Sequence, residues 1–308
     1  MSTLLRRRPF LGLVALVGVP SAAFLAYYVS DLTNRYPVHL PRPGSPLLEP
    51  VQAGHKVEGA TVLVAKVPER VLLAASPSPL SPEEDTSLPD MTTAYLSTFL
   101  STPLQWLEAL LFSLSPWTSS SSSSSSLPPY SAGQAVCGGA FRVFQPPSLV
   151  EEEEDGGGWR KVGRAVAHWQ ALPGAVEALN SVAERWGVGS RAMSGGKLVW
   201  AVVRVEDESA GEGAASSTSS ISSARREQSA EMKDGGRMVE LRFGSSIEYP
   251  PSRPSAFAPQ LPDEKPDTGS LPRLAFELHM LYARLLLDGT VGRFKRLARK
   301  AEREKGRL

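Results

Sequence analysis

Four histidines (His39, His55, His168, His279), a single cysteine (Cys137) and the turn Met193-Ser194-Gly195-Gly196 are the residues best equipped for chemistry in this 308-residue chain. A metal centre needs several nitrogen, sulfur or oxygen donors at short, fixed spacings, and no HxH, HExxH or Cys/His cluster occurs. A Gly-Gly turn lets a backbone approach a phosphate, but a P-loop reads GxxxxGK[ST] and opens a helix, whereas a strand-like segment follows Gly196. Ser194 is not in G-x-S-x-G, so the strained elbow of an α/β-hydrolase is not expected. Cys137 lies in an apolar stretch with no histidine beside it and reads as an inert, buried thiol. No catalytic, cofactor-binding or metal-binding residue follows from these patterns, and the chain reads as a binder more than an enzyme.

Two pairs remain as candidate pocket residues. His168 stands beside Trp169. His279 and Tyr282 sit three apart in an apolar, helix-like segment, where a polar group on a helix flank can orient one end of an apolar ligand. The expected ligand pocket is therefore His279, Tyr282, His168 and Trp169. The alternative for each is a satisfied structural side chain in the core or on the helix surface.

The elements that would carry them are legible from periodicity. Residues 60–67 (ATVLVAKV) read as a buried strand. Residues 90–115 read as helical, with Asp90 as cap and Pro103 dividing the run into two helices. Residues 135–145 read as a strand bent at Gly138-Gly139, and 161–170 as a further strand. Residues 174–186 are helical and end at Gly187 and Gly189. Residues 197–205 (KLVWAVVRV) form a strand. In 238–249, Val239, Leu241, Phe243, Ile247 and Tyr249 alternate with Glu240, Arg242 and Glu248, the period of a half-buried antiparallel strand. These two strands are expected to pair across 207–236. A closing helix runs from about Pro272 past Lys300, with Leu274, Leu278, Leu281 and Leu285 as its buried stripe. The fold class is α+β: an antiparallel sheet packed against a long C-terminal helix.

Residues 9–29 (PFLGLVALVGVPSAAFLAYYV) carry no charge and follow Arg6, Arg7 and Arg8. Such a length spans a bilayer core as a helix. An uncleaved single-pass anchor fits, with Tyr27 and Tyr28 at its far end; a signal peptide cut near Ser21-Ala22-Ala23 and a mitochondrial transit segment are the rival readings. The arginines keep the N-terminus on the cytosolic or matrix side, which puts the domain across the mitochondrial inner membrane or the endoplasmic reticulum membrane. Residues 1–8 are then a basic flank, 9–29 the transmembrane anchor, 30–59 a linker whose Pro37, Pro41, Pro43, Pro46 and Pro50 keep it extended, and 60–288 the α+β domain. Residues 289–308 are a basic helical extension.

Composition trims the foldable part. The serine tract within 116–134, the EEEEDGGG run within 150–158 and the Ser/Gly/Glu-rich 207–236 are expected to be disordered insertions. One cysteine excludes a disulfide-stapled domain. Asn34 and Asn180 lie outside any N-x-S/T sequon. A net charge of +1 gives no footprint for nucleic acid. The C-terminal arginines and lysines fit a membrane lipid surface, a protein partner, or simply the negative end of a helix dipole.

The strand order, the RAMSGGKLVWAVVRV and MVELRFGSSIEY segments and the closing LHMLYARLLL helix resemble the helix-grip (START or polyketide-cyclase-like) superfamily. They are also similar to uncharacterised membrane-anchored fungal proteins with a W-G…R-x-M-S-G-G turn. The resemblance covers about residues 136–288 and implies a curved sheet gripping the last helix over an apolar cavity. Three functions are consistent with it: a membrane-anchored binding domain for a lipid or other apolar small molecule; a ligand-free assembly factor that docks a partner through its basic C-terminal helix; and an enzyme acting on a hydrophobic metabolite.

Overall fold

A computed structural model describes residues 26–75, 87–113, 130–153, 158–171, 173–185, 193–205, 237–250 and 270–305. The apolar run at 9–29 lies outside these apart from its last four residues. The expected insertions at 207–236 and most of 116–134, and the glycine stop at 187–189, also lie outside them. Among the described residues no helix is long and apolar enough to cross a membrane.

The fold is α+β, with a curled sheet of seven strands, every neighbouring pair antiparallel, in the order β1-β2-β7-β6-β5-β4-β3. The strands are β1 (Val38–His39), β2 (Lys56–Pro68), β3 (Ala135–Val136), β4 (Phe141–Glu153), β5 (Trp159–Gln170), β6 (Gly195–Arg204) and β7 (Met238–Tyr249). The helices are α1 (residues 26–35), α2 (Glu69–Leu73), α3 (Ser87–Leu100), α4 (Pro103–Ser113), α5 (Pro173–Arg185) and α6 (Ser270–Lys305). β6 and β7 pair as their patterns predict, from Gly195 opposite Glu248 to Arg204 opposite Val239.

α3 and α6 share the inner face of the sheet. α3 turns Leu88, Met91, Tyr95 and Phe99 inward at helical spacing, all buried. Phe99 is the centre of the core. Its ring stands 4.7 Å from Phe243 and 5.5 Å, edge-on, from Trp200, while Tyr95 bridges from Phe99 to Phe294 of α6. Offset and edge-to-face rings add to their area burial. Helix and sheet approach closely: a Cβ placed on Gly163 of β5 would lie 2.5 Å from the Leu88 carbonyl oxygen of α3. Thr102 caps α4, receiving the Gln105 amide on Oγ1 and the Trp106 amide on its carbonyl, with Pro103 as first helical residue.

Four expectations are corrected. The α6 stripe holds only in part: Leu281 and Leu285 are half-buried against the core, Leu278 is 57% exposed, and the side chain of Leu274 lies outside the described residues. The buried row is Met280, Ala283, Leu287, Thr290 and Phe294, on the side where α6 packs on α2, α3 and β2, with Met280 against Thr61 of β2. Residues 30–59 are not a free linker. Residues 26–35 are helical, Val38 and His39 pair with β2, and Leu47 is buried against Val166 and Val199 on the outer face. Residues 150–153 of the acidic run are strand, paired with β5. The 135–145 segment is two strands joined by a tight turn in which Cys137, Gly138 and Gly139 all have positive φ.

Candidate functional site

Alternation along β5 separates the first expected pair. His168 points to the outer face and Trp169 to the inner one, where it packs opposite Gly196. Gly196 is required there: a Cβ would collide with the Ser246 carbonyl oxygen and meet the Trp169 indole nitrogen at 2.7 Å. The second pair stays on the inner side with divergent partners. His279 Nε2 lies 3.0 Å from Ser245 Oγ of β7, and burial lowers its pKa. The Tyr282 hydroxyl donates to Glu108 of α4. Three of the four expected residues thus share the inner side, and His168 stands apart from them.

Tyr282 belongs to a polar string that sequence reading missed. Glu108 Oε2 also accepts from Gln105 Nε2 at 2.6 Å, and that nitrogen lies 3.2 Å from Cys137 Sγ. The string ties α6, α4 and the turn before β4 together. Burial raises the Glu108 pKa, against the two hydrogen bonds that stabilise its charged form. Cys137 is half-buried; burial, with Glu108 close by, pushes its thiol up to about 12, which disfavours the reactive thiolate. The only hint of this string was Glu108 itself, a lone acid in the apolar run 104–114.

The raised Glu108 pKa fixes a sign. The folded state holds the proton to higher pH than the unfolded chain does, so this group's stability contribution is complete below the unfolded pKa. It is lost as pH rises through the folded value. Glu108→Gln keeps an oxygen for Tyr282 and removes the titration. The variant is expected to melt higher than wild type at neutral pH and together with it near pH ~4, the ordinary carboxylate range. A constant difference across that range would put the effect elsewhere.

The outer face carries a second cluster around the Ser194 turn. Ser194 Oγ lies 2.9 Å from His55 Nδ1 and donates to the Glu248 carbonyl oxygen at 3.1 Å. Between the imidazole and that carbonyl, the hydroxyl fastens the turn to β7. Glu248 is buried; its Oε1 receives the Gln52 amide at 2.9 Å, while Oε2 has no hydrogen-bond partner among the described residues. Lys197, also buried, donates to the Pro46 carbonyl at 3.0 Å and lies 3.9 Å from Glu49. Burial lowers the Lys197 pKa against the pull of Glu49 and Glu248; burial, then Arg142 and Lys197, lower that of His168. The cluster thus clasps the 46–52 segment onto β6 and β7. Its members come from three distant parts of the chain, which is why no spacing announced it.

Comparison with protein-family models, with curated proteins and with solved structures finds no match for this chain.

Proposed function

We propose that the protein is a membrane-tethered interaction module that docks a protein partner, with no ligand held between sheet and helix. The supporting observation is an exposed apolar face on α4. Trp106 (64% exposed), Leu107 (46%) and Leu110 (40%) lie on adjoining turns, while Gln105 and Glu108 of the same helix face inward. A tryptophan with flanking leucines at i+1 and i+4 is the composition of a binding hot spot. The interior supports the same reading, since Phe99, Trp200, Phe243 and Tyr95 are buried in a chain of ring contacts between sheet and helix, where the helix-grip resemblance implies a cavity. The anchor at residues 9–29 is part of this proposal, as is a mitochondrial inner-membrane or endoplasmic-reticulum location.

A photo-crosslinking amino acid at Trp106, in full-length protein in its native membrane, tests the proposal. A discrete protein adduct is expected, and Leu110→Asp in the same chain should abolish it. Crosslinks to lipid alone, together with an apolar molecule retained in native mass spectrometry, would favour the lipid-binding reading instead.

A further inference from the structure

We propose that a channel along α6, walled by α1 and α4, receives one amphipathic helix of a protein partner, apolar where it meets leucines and acidic where it meets arginines; this deepens the docking reading above and rests on it.

The walls are fixed by named contacts. Tyr282 of α6 donates to Glu108 of α4, Arg293 donates to the Ser101 carbonyl at 2.6 Å, and a Cβ on Gly289 would meet Thr102 Cγ2 at 3.8 Å. α4 therefore lies along the side of α6 that carries residues 282, 289 and 293. α1 lies along another side. Asp288 accepts from Tyr36 at 3.0 Å and from Arg35 at 3.3 Å, and Arg284 Nε donates to the Tyr36 carbonyl at 3.2 Å. At about 100° per residue, Tyr282 and Asp288 project about 120° apart. The buried row from Met280 to Phe294 takes a third direction. A helix laid midway between the two walls stands about 60° from each. At the usual spacing of about 8–10 Å it packs on α6, α1 and α4 at once.

The floor of the channel is a row at helix-packing spacing. Leu285 is three residues from both Tyr282 and Asp288, so it lies between the walls. Leu278 and Leu281 precede it on this row, and Gly289 and Gly292 follow, at spacings of three and four. None of them is fully buried: Leu278 is 57% exposed and the other four are half-buried. A Cβ on Gly292 would meet only the flexible end of Arg296, at 3.7 Å, so packing within the described residues does not require a glycine there. Glycine weakens a helix interior, and its use on this floor lets a second helix axis come close.

Charge selects the occupant. Arg296, Arg299 and Arg303 continue the row, all three exposed, and none pairs with an acid among the described residues. The row thus changes from leucine to arginine along its length. Leucines at spacings of three and four are matched by the apolar seam of another helix, and guanidinium forks by carboxylates. A helix whose seam is apolar in one half and acidic in the other satisfies both. A flat anionic surface would meet the arginines and leave the walled leucine half unmatched.

The test uses full-length protein and a labelled synthetic helix of about three heptads, with leucine along the seam of one half and glutamate along the other. Fluorescence anisotropy is expected to show binding about tenfold tighter than that of a peptide with the same residues in scrambled order. Reversing Arg296, Arg299 and Arg303 to Glu should lose that advantage, and a peptide with lysine in place of glutamate should restore it. Gly292→Phe, with its fold checked by circular dichroism, should weaken binding severalfold. Equal binding of ordered and scrambled peptides, competition by polyglutamate as strong as by the ordered peptide, or no effect of Gly292→Phe overturns the inference. A photo-crosslinker at Leu278 that reacts only within its own chain shows the channel to be filled already and overturns it too. If the peptide fails while Trp106 still gives its protein adduct, this inference falls alone; if the adduct is also missing, the docking reading falls with it.

Discussion

Phe99→Ala is expected to cost about 3–5 kcal/mol, the range for an aromatic removed from a rigid core. Phe99 is fully buried between helix and sheet, in ring contact with Trp200, Phe243 and Tyr95. Those neighbours belong to four-residue-spaced helix positions and to paired strands, which cannot collapse into the void. The variant's melting temperature should fall by on the order of 10 °C. A loss under about 1 kcal/mol would show that the space beneath α3 is not closed, and the apolar-ligand reading would regain its ground.

Gly163→Ala should be comparably damaging for the opposite reason. The added methyl would collide with Thr92 Oγ1 and sit 2.5 Å from the Leu88 carbonyl oxygen and 2.8 Å from its carbon. A side chain can rotate away, but a carbonyl in the first turn of α3 cannot move without lifting the helix off β5. Overpacking of this kind costs about 1–3 kcal/mol where side chains give way, and a backbone obstacle puts it at or above the top of that range. Denaturant unfolding measures it, and adding Thr92→Ala to the same chain should recover only a small part. Full recovery would mean that the hydroxyl alone is the obstacle and that the carbonyl yields.

The strands with strict alternation were readable because one face meets the helices and the other meets charge. β7 is the clearest case, with Leu241 and Phe243 inward and Glu240 and Arg242 outward. Pro103 was readable because its ring forbids a continuous helix. The beginning of β2 was hidden by Gly59, whose φ of +62° and local register shift interrupt the apolar pattern. The phase of α6 differs from its leucine pattern because hydropathy weights leucine, while the buried positions include the small or polar Ala283 and Thr290. In the candidate site, Tyr282 and His279 could be chosen on the helix, but Glu108, Lys197 and Glu248 could not. Their partners come from segments far away in sequence, and no local spacing encodes such a meeting.

The rims of the sheet also decide how the molecule behaves among its own copies. β1 and β3 are each two residues long, so they cover little of β2 and β4, whose thirteen residues would otherwise offer unpaired amides and carbonyls to another chain. β4 disarms itself. Pro146 and Pro147 withhold two donors, the register shifts between Gln145 and Ser148, and Glu151, Glu152 and Glu153 load its end with negative charge. Prolines, a bulge and like charges are the devices that stop sheets from growing edge to edge. The glutamate run that looks like filler in the sequence therefore works against aggregation, keeping neighbouring copies from joining into a continuous ribbon.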